Sequence, residues 1–242
     1  AALLSLGAAA EPQKADRPNV IFVLCDDLGP GDLGALWQNG RKGKQKFSTP
    51  NMDQFAKEGM ILSRHYCPAP SCMASRSSLM TGRHQGHCAR RNTQFDAEIP
   101  DVHTLGSVMS KAGYATAAIG KWGMAGGPYQ LSIKPVRGDR SAKTNPSHPT
   151  LRGFDYFYGY TAHRDAHYHY PKLGNRPLYD GFVDVTDRLA KCYSTDLLTA
   201  RTKKWITDHN KAHPKKPFFT YLCYTAPHSG LRIPTTSHLT AK

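Results

Sequence analysis

The sequence predicts an α/β fold with a mixed, mostly parallel central sheet flanked by helices. Residues 19–25 form a continuous apolar run rich in branched side chains, which is typical of a strand covered on both faces. Beyond it, segments with helical spacing alternate with short apolar runs, and no internal repeat is present. The 242 residues are enough to bury one large core. We therefore expect one layered α/β domain and not two.

A first helix is predicted directly after Thr49, which can cap it, and Pro50, which favours a first helical turn. We expect this amphipathic helix to cover the sheet. Its apolar residues have helical spacing and are Met52, Phe55, Ala56 and Gly59.

Two more helix and strand pairs follow from the same patterns. One helix is predicted to end at Gly113, before a strand over residues 114–119. A last helix over residues 194–209 leads to a strand over residues 217–224. The apolar residues of the first of these helices are Leu105, Val108, Met109 and Ala112. The residues predicted to face inward in the last helix are Leu197, Leu198, Trp205 and Ile206.

Two segments have the composition of long loops above the sheet. Residues 123–151 are rich in Gly, Pro, Ser and Lys, and residues 153–177 are rich in aromatic residues and histidine without a period. Long loops at the edge of a sheet usually build binding sites. We therefore expect functional residues in them.

The chain opens on an apolar stretch that closes on small residues, so residues 1–11 have the character of the end of a secretory signal peptide. We expect a periplasmic or secreted protein whose folded part is residues 12–242. No segment reaches the ~20 apolar residues that a transmembrane helix needs, so no integral membrane segment is predicted.

The sequence is basic, with a formal net charge of +14. Clustered lysine and arginine attract polyanions, but here the bases are scattered and no recognised nucleic-acid-binding motif accompanies them. We expect no nucleic-acid partner. The bases are either solvated surface or recruit an anionic substrate.

The six cysteines match no zinc-binding spacing. Cys25 and Cys223 lie inside apolar runs and are expected to be small buried apolar residues. Cys72 differs because of the string of residues that follows it. Considered without that string, Cys72 could be an ordinary cysteine or form a disulfide with Cys67.

Residues 72–83 have the sequence Cys-Met-Ala-Ser-Arg-Ser-Ser-Leu-Met-Thr-Gly-Arg. This string resembles the signature of the sulfatase family: a cysteine or serine, any residue, proline or alanine, any residue and arginine, then a Thr-Gly-Arg or Thr-Gly-Lys tail. The resemblance spans residues 18–234 and implies an alkaline-phosphatase-like fold. Further strings occur in the family's order: Asp26-Asp27-Leu28-Gly29, Gly31-Asp32-Leu33-Gly34, Thr49-Pro50-Asn51-Met52-Asp53, Gly120-Lys121-Trp122-Gly123, Gly153-Phe154-Asp155 and Ala226-Pro227-His228.

The resemblance implies a sulfuric ester hydrolase that removes sulfate from a sulfated carbohydrate or an aryl sulfate. In sulfatases a maturation enzyme oxidises the cysteine to formylglycine, whose hydrated aldehyde attacks sulfur, and the same is implied for Cys72. Cleavage of a sulfate ester needs a cation, fixed positive side chains and a nucleophile better than serine. Cys72 heads a predicted helix, from Ser75 onward, whose first N–H groups would favour an anion.

Asp26 and Asp27 follow a predicted central strand, at the edge where open α/β sheets place ligands. Their oxygens suit Ca²⁺, and Mg²⁺ remains open. The resemblance implies that the metal lies there and that the formylglycine derived from Cys72 is a further ligand. A solvated turn is the alternative for the two aspartates.

The resemblance also implies roles for three other residues. Arg76 would hold the nucleophile and the metal-side carboxylates, and Lys121 would contact a sulfate oxygen, each as a fixed positive charge. His228 would contact sulfate and protonate the leaving oxygen, a role that suits imidazole. Each of the three could instead be a structural or surface residue.

Two positions depart from the family's commonest pattern. Many sulfatases have histidine where this chain has Gly123. In the family that histidine helps to break the hemiacetal, so the usual base is missing here, and the histidine-rich segment 162–171 offers substitutes. His167 resembles a histidine of a bacterial subgroup with the same Trp-Gly pair and is predicted to have a catalytic or substrate-contacting role, although it could equally bind sugar or pack. Ala74 replaces the usual proline, which favours a bacterial protein matured by the radical-type enzyme, or one that is not matured.

Family members continue with a second pair of metal ligands and a second lysine, which this sequence does not contain before Lys242. Residues 12–242 are therefore predicted to be the N-terminal portion of a sulfatase domain, which could be inactive alone. Two other classes stay open. One is a phosphodiesterase or phosphonate hydrolase of the same superfamily, and the other is a non-catalytic sulfatase-like binding protein.

Overall fold

The computed structural model describes residues 17–43, 47–92, 97–126, 145–174, 176–189 and 191–228. The strands of these residues are β1 (Val20–Asp26), β2 (Ala115–Lys121), β3 (Tyr156–Tyr160), β4 (Tyr179–Asp180), β5 (Val183–Asp184) and β6 (Phe218–Pro227). They form one sheet in the order β1-β6-β2-β3-β4-β5. β1, β6, β2 and β3 are parallel, and β4 and β5 add antiparallel pairs. This mixed, mostly parallel sheet confirms the predicted fold class.

The described residues form five α-helices, some of which pack on the two faces of this sheet. They are α1 (Pro50–Glu58), α2 (Cys72–Thr81), α3 (Leu105–Lys111), α4 (Pro171–Gly174) and α5 (Ser194–Ala212). α3 contacts α2 and β2, whereas α5 packs against β6, β2 and β3. The predicted helices over 105–112 and 194–209, and the strands that follow them, are confirmed. None of the described helices is both long and apolar enough to cross a membrane.

The core has two layers because strand side chains alternate between the faces of the sheet. Ala118 belongs to one apolar cluster and its neighbour Ile119 to the other. Phe219 and Leu222 of β6 are divided in the same way. Every residue of β2 is buried, as expected of a strand with a neighbour on each side and a layer on each face. The central strands are therefore held in place by packing on both faces of the sheet.

The prediction of a continuous loop over residues 153–177 is wrong, because β3 lies within it. Its sequence Tyr-Phe-Tyr-Gly-Tyr is rich in aromatic residues, which suit a buried strand but give no apolar and polar alternation. Gly159 lets β3 approach β2, since a Cβ there would lie 2.0 Å from the carbonyl oxygen of Gly120. For the predicted loop over 123–151, residues 127–144 lie outside the described residues.

Two predictions about covered surfaces are also wrong for the described residues. α1 forms as predicted but buries none of its residues, and Phe55 is 74% exposed. Polar contacts hold this helix instead: Asp53 accepts hydrogen bonds from the N–H of Ala35 and the amide of Asn39, both at 2.8 Å. On β1 the side chains of Ile21 and Val23 are half exposed, so only one face of that strand is covered.

Candidate active site

The site lies where three adjacent parallel strands end. Asp26 is the last residue of β1, Lys121 is the last residue of β2, and His228 directly follows β6. β6 lies between the other two strands, and its Pro227 pairs with Asp26 beyond an irregularity in the register of β1 and β6. Carboxyl ends of parallel strands meet at one edge, so the topology alone brings these three polar residues together.

Two cations and one anion are buried at this edge. The ammonium of Lys121 contacts the carboxylate of Asp26. Nη2 of Arg76 lies 3.7 Å from Oδ1 of Asp26, and Nη1 of Arg76 donates a 2.8 Å hydrogen bond to the carbonyl oxygen of Lys121. None of the three residues is more than 4% exposed. The trio has an excess positive charge in a poorly hydrated place, which is suited to an anion.

The cationic pair keeps the Asp26 carboxyl ionised. Burial would raise its pKa, but the charges of Lys121 and Arg76 outweigh burial and hold that pKa below its usual value. Burial, together with the charge of Arg76, also lowers the pKa of Lys121. Arg76 reaches this position from α2, and Lys121 from β2, so two elements supply the positive charge.

Two histidines extend the site. Nε2 of His167 lies 2.9 Å from the side-chain nitrogen of Lys121 and 4.0 Å from Oδ2 of Asp26. The rings of His167 and His228 stack with their centroids 3.6 Å apart. Nε2 of His228 lies 3.4 Å from Oδ2 of Asp27. Burial and the charge of Lys121 lower the pKa of His167 to about 3, so its imidazole is neutral at neutral pH.

The donor atoms fit a divalent cation. One ligand atom each from Asp26, His167 and His228 lies within 4.8 Å of the others. Asp27 adds a carboxylate that is more than half exposed, on a backbone with φ of +63°, a conformation uncommon outside glycine. Oxygen ligands from the two aspartates suit Ca²⁺ or Mg²⁺, whereas the imidazole nitrogens suit transition metals better.

Cys72 stands at the start of α2, three residues before the predicted helix. Its thiol lies 3.1 Å from Nε2 of His163. Burial raises the pKa of the Cys72 thiol, and the charges of Lys121, Asp26 and Arg76 also act on it. Cys72 and Arg76 are four residues apart on α2, so they lie on the same face of that helix. A thiol with a raised pKa is a poor nucleophile at neutral pH.

The structure brings the candidate residues to one edge of the sheet. They are Asp26, Asp27, Cys72, Arg76, Lys121, His167 and His228. None of the six cysteines forms a disulfide, so the pairing of Cys67 with Cys72 is not seen. Cys223 is buried as expected, whereas Cys25 is only partly buried. Sequence reasoning did not single out His163, and its membership of the histidine-rich loop was the only signal for it.

The fold is a mostly parallel α/β sheet that carries, at one edge, a buried cationic site beside two aspartates whose oxygens could hold a divalent cation. The family model of sulfatases matches residues 18–238. The chain belongs to the sulfatase family.

Curated relatives agree with this family. Mouse arylsulfatase J is 32% identical over 228 residues, which are 90% of this chain and 34% of that protein. Human arylsulfatase D is 36% identical over 161 residues, which are 62% of this chain and 24% of that protein. The chain thus spans about a quarter to a third of the length of these relatives.

Solved structures share the fold. Ps i-CgsB in complex with k-i-k-neocarrahexaose has a TM-score of 0.63 and 29% identity, and the match covers 89% of this chain and 46% of that one. The phosphonate monoester hydrolase of Agrobacterium radiobacter has a TM-score of 0.55 and 18% identity, with 92% and 44% covered. At that identity the second likeness shows the fold alone.

Proposed function

We propose that the complete protein hydrolyses a sulfate ester in a sulfated carbohydrate or an aryl sulfate. The observation that carries this proposal is the buried trio of Lys121, Arg76 and Asp26 beside Cys72. Two fixed cations around one carboxylate leave positive charge for a bound sulfate, and a dry site strengthens that attraction. Sulfatase relatives over most of the chain support sulfate over other anions.

The nucleophile is proposed to be formylglycine, made from Cys72 by a radical-type maturation enzyme that accepts Ala74. When present, the hydrated aldehyde supplies a hydroxyl nucleophile for attack on sulfur. A modified nucleophile is favoured because burial raises the pKa of the unmodified Cys72 thiol, which makes that thiol a poor nucleophile. The N-terminus of α2, where Cys72 lies, also presents N–H groups and the positive end of the helix dipole to an anion.

The metal is proposed to be Ca²⁺, with Mg²⁺ as the alternative. Asp26 and Asp27 would hold it through carboxylate oxygens, with the modified residue 72 as a further ligand. A bound divalent cation supplies charge that stabilises a sulfate oxygen as negative charge spreads during ester cleavage. Arg76 then keeps Asp26 ionised and oriented from the side of α2.

The remaining side chains are proposed to bind and protonate the substrate. Lys121 contacts a sulfate oxygen as a positive charge fixed by β2. His228, which is partly exposed beside Asp27, protonates the oxygen of the leaving alcohol. His167 accepts from the ammonium of Lys121 and thereby holds that ammonium in the site.

The substrate is proposed to be carbohydrate, since the structure of Ps i-CgsB with k-i-k-neocarrahexaose belongs to a protein of 29% identity over most of this chain.

We also propose that the protein is exported and is periplasmic or secreted, because the sequence opens on an apolar stretch.

The experiment assays the complete protein, produced with a radical-type maturation enzyme, on an aryl sulfate, an aryl phosphate diester and a panel of sulfated oligosaccharides. The expected result is sulfate release that Cys72→Ala abolishes. A preference for the phosphate diester would identify a phosphodiesterase instead. Matured protein that binds a sulfated sugar and releases no sulfate would identify a binding protein.

A further inference from the structure

His163 is the histidine that contacts the thiol of Cys72. Its Nε2 lies 3.1 Å from Sγ, and the residue is 2% exposed. The other histidines of the same loop have different partners. His167 contacts Lys121, and His169 contacts the hydroxyl of Thr225 at 3.2 Å and the carbonyl oxygen of His228 at 3.4 Å. Only the first of these three rings reaches the proposed nucleophile in the described contacts.

The backbone fixes where the ring of His163 lies. The N–H of Trp122 donates to the carbonyl oxygen of Tyr160 at 2.9 Å, and the N–H of Gly123 donates to that of Thr161 at 3.1 Å. These bonds continue the pairing of β2 with β3 beyond the two strands. His163 is only two residues beyond Thr161, so its backbone is held close to a hydrogen-bonded segment.

Gly123 lies next to this ring, so a side chain larger than that of alanine at residue 123 would meet it. A Cβ at residue 123 would lie 3.4 Å from Nδ1 of His163 and 3.8 Å from its Cα and Cβ. A side chain at residue 123 would therefore point at the imidazole. The φ of Gly123 is +72°, a conformation that side chains rarely adopt, so the backbone also favours glycine at this place. Gly123, after β2, has no side chain, and the imidazole of His163, after β3, lies next to it.

We propose that His163 is a positioning residue for the nucleophile at residue 72. Its Nε2 makes a hydrogen bond with the end of the residue 72 side chain, whether that is the thiol or the hydroxyl of the matured residue. It makes this contact from the loop after β3, whereas Gly123, after β2, has no side chain that could make it. The effect on turnover rests on the proposed function, whereas the contact itself does not.

The kinetic experiment compares four forms of the complete, matured protein: the parent, His163→Ala, His163→Gln and Arg164→Ala. Arg164 is the exposed neighbour of His163 and is the matched control. We expect His163→Ala to lower kcat for an aryl sulfate about 10- to 100-fold with little change in KM, because a misplaced nucleophile slows the chemical step. His163→Gln, which keeps a polar side chain that can hydrogen-bond, should recover part of the loss, and Arg164→Ala should match the parent.

A second measurement does not depend on turnover. Nitrogen NMR of the histidine rings is recorded on unmatured protein with Cys72 intact and on Cys72→Ala. We expect the ring nitrogens of His163 to shift and those of His169 to stay in place. Resonances of His163 that do not move would overturn the contact, and with it the proposal.

The two failures are distinguishable. If the matured parent protein shows no turnover, the proposed function is wrong. The NMR result still shows whether His163 contacts Cys72. Parent protein that turns over while His163→Ala keeps its kcat overturns the role of His163 and leaves the proposed function intact. Equal loss in the Ala and Gln variants with equally lowered melting temperatures would assign His163 a purely structural role, which also overturns the proposal.

Discussion

The side-chain nitrogen of Lys121 lies 2.9 Å from Nε2 of His167, and this contact joins a strand end to the loop above it. An ammonium group can only donate, so Nε2 of His167 is the acceptor and its ring is neutral. The same ammonium contacts the carboxylate of Asp26. Lys121, at the end of β2, therefore connects His167 of the loop after β3 with Asp26 at the end of β1.

Replacing Lys121 with methionine should damage both stability and activity. The carboxylate of Asp26 would stay buried with only the more distant Arg76 to balance it. Breaking a buried ion pair from one side typically costs about 3–5 kcal/mol, and we expect a loss of that size in urea unfolding. Lys111→Met, at an exposed position of α3, is the control and should change little. Equal stability of the two variants would contradict the account of this buried pair.

The two aspartates should control calcium affinity. Asp26→Asn and Asp27→Asn each remove a charged oxygen ligand. We expect each to weaken Ca²⁺ binding by at least about 10- to 100-fold in calorimetry on the complete protein, because changing a residue that only supports a metal ligand already costs about that much. Asp101→Asn, at a carboxylate that is 92% exposed, should bind as the parent does. Unchanged affinity in both Asp26→Asn and Asp27→Asn would show that the metal lies elsewhere.

Gly120 should not tolerate a side chain. A Cβ there would lie 1.9 Å from the carbonyl oxygen of Cys223, on backbone with a φ of +107°. We expect Gly120→Ala to destabilise the protein by about 3 kcal/mol or more, since overpacking and backbone strain add. Gly31→Ala is the matched control, because a Cβ at Gly31 meets nothing within 4 Å. Chemical denaturation of both variants tests this, and similar stability would refute the close approach of β2 to β6.

His148 should make stability fall in mild acid. Burial lowers its pKa to about 4, whereas an unfolded histidine titrates near about 6.5. Between these pH values the unfolded chain holds the extra proton, so the free energy of unfolding decreases as pH falls from about 6.5 to 4. Unfolding measured by urea from pH 7 to pH 4 should show a shallower decrease for His148→Asn. Asn can still cap the short 3₁₀ helix Pro149–Arg152, whose N-cap is His148. The exposed His103 provides the control variant, His103→Asn. Identical slopes for His148→Asn and the parent would exclude this residue as the cause.

Local patterns were enough to predict the elements that carry the site. The apolar run of β1, the helical spacing before Gly113 and the run of β6 each appear in a short window of sequence. Asp26 and Lys121 are the last residues of β1 and β2, and His228 directly follows β6, so parallel pairing implied that the three would meet.

Other features depend on tertiary contacts that no window contains. The periodicity of α1 identifies its apolar face but not what covers it, which is why Phe55 is exposed against expectation. β3 lacks alternation because both of its faces are buried. The contact of His163 with Cys72 joins residues 91 positions apart, so sequence reasoning could name only the loop that contains His163.

The central claim is that residue 72 acts as a formylglycine nucleophile in a sulfatase. Its most direct test is mass spectrometry of the peptide that contains residue 72, from complete protein produced with a radical-type maturation enzyme. The account predicts the mass of the aldehyde at position 72, together with sulfate release from an aryl sulfate by the same sample. An unmodified thiol at Cys72 in a protein that nevertheless releases sulfate at full rate would contradict it.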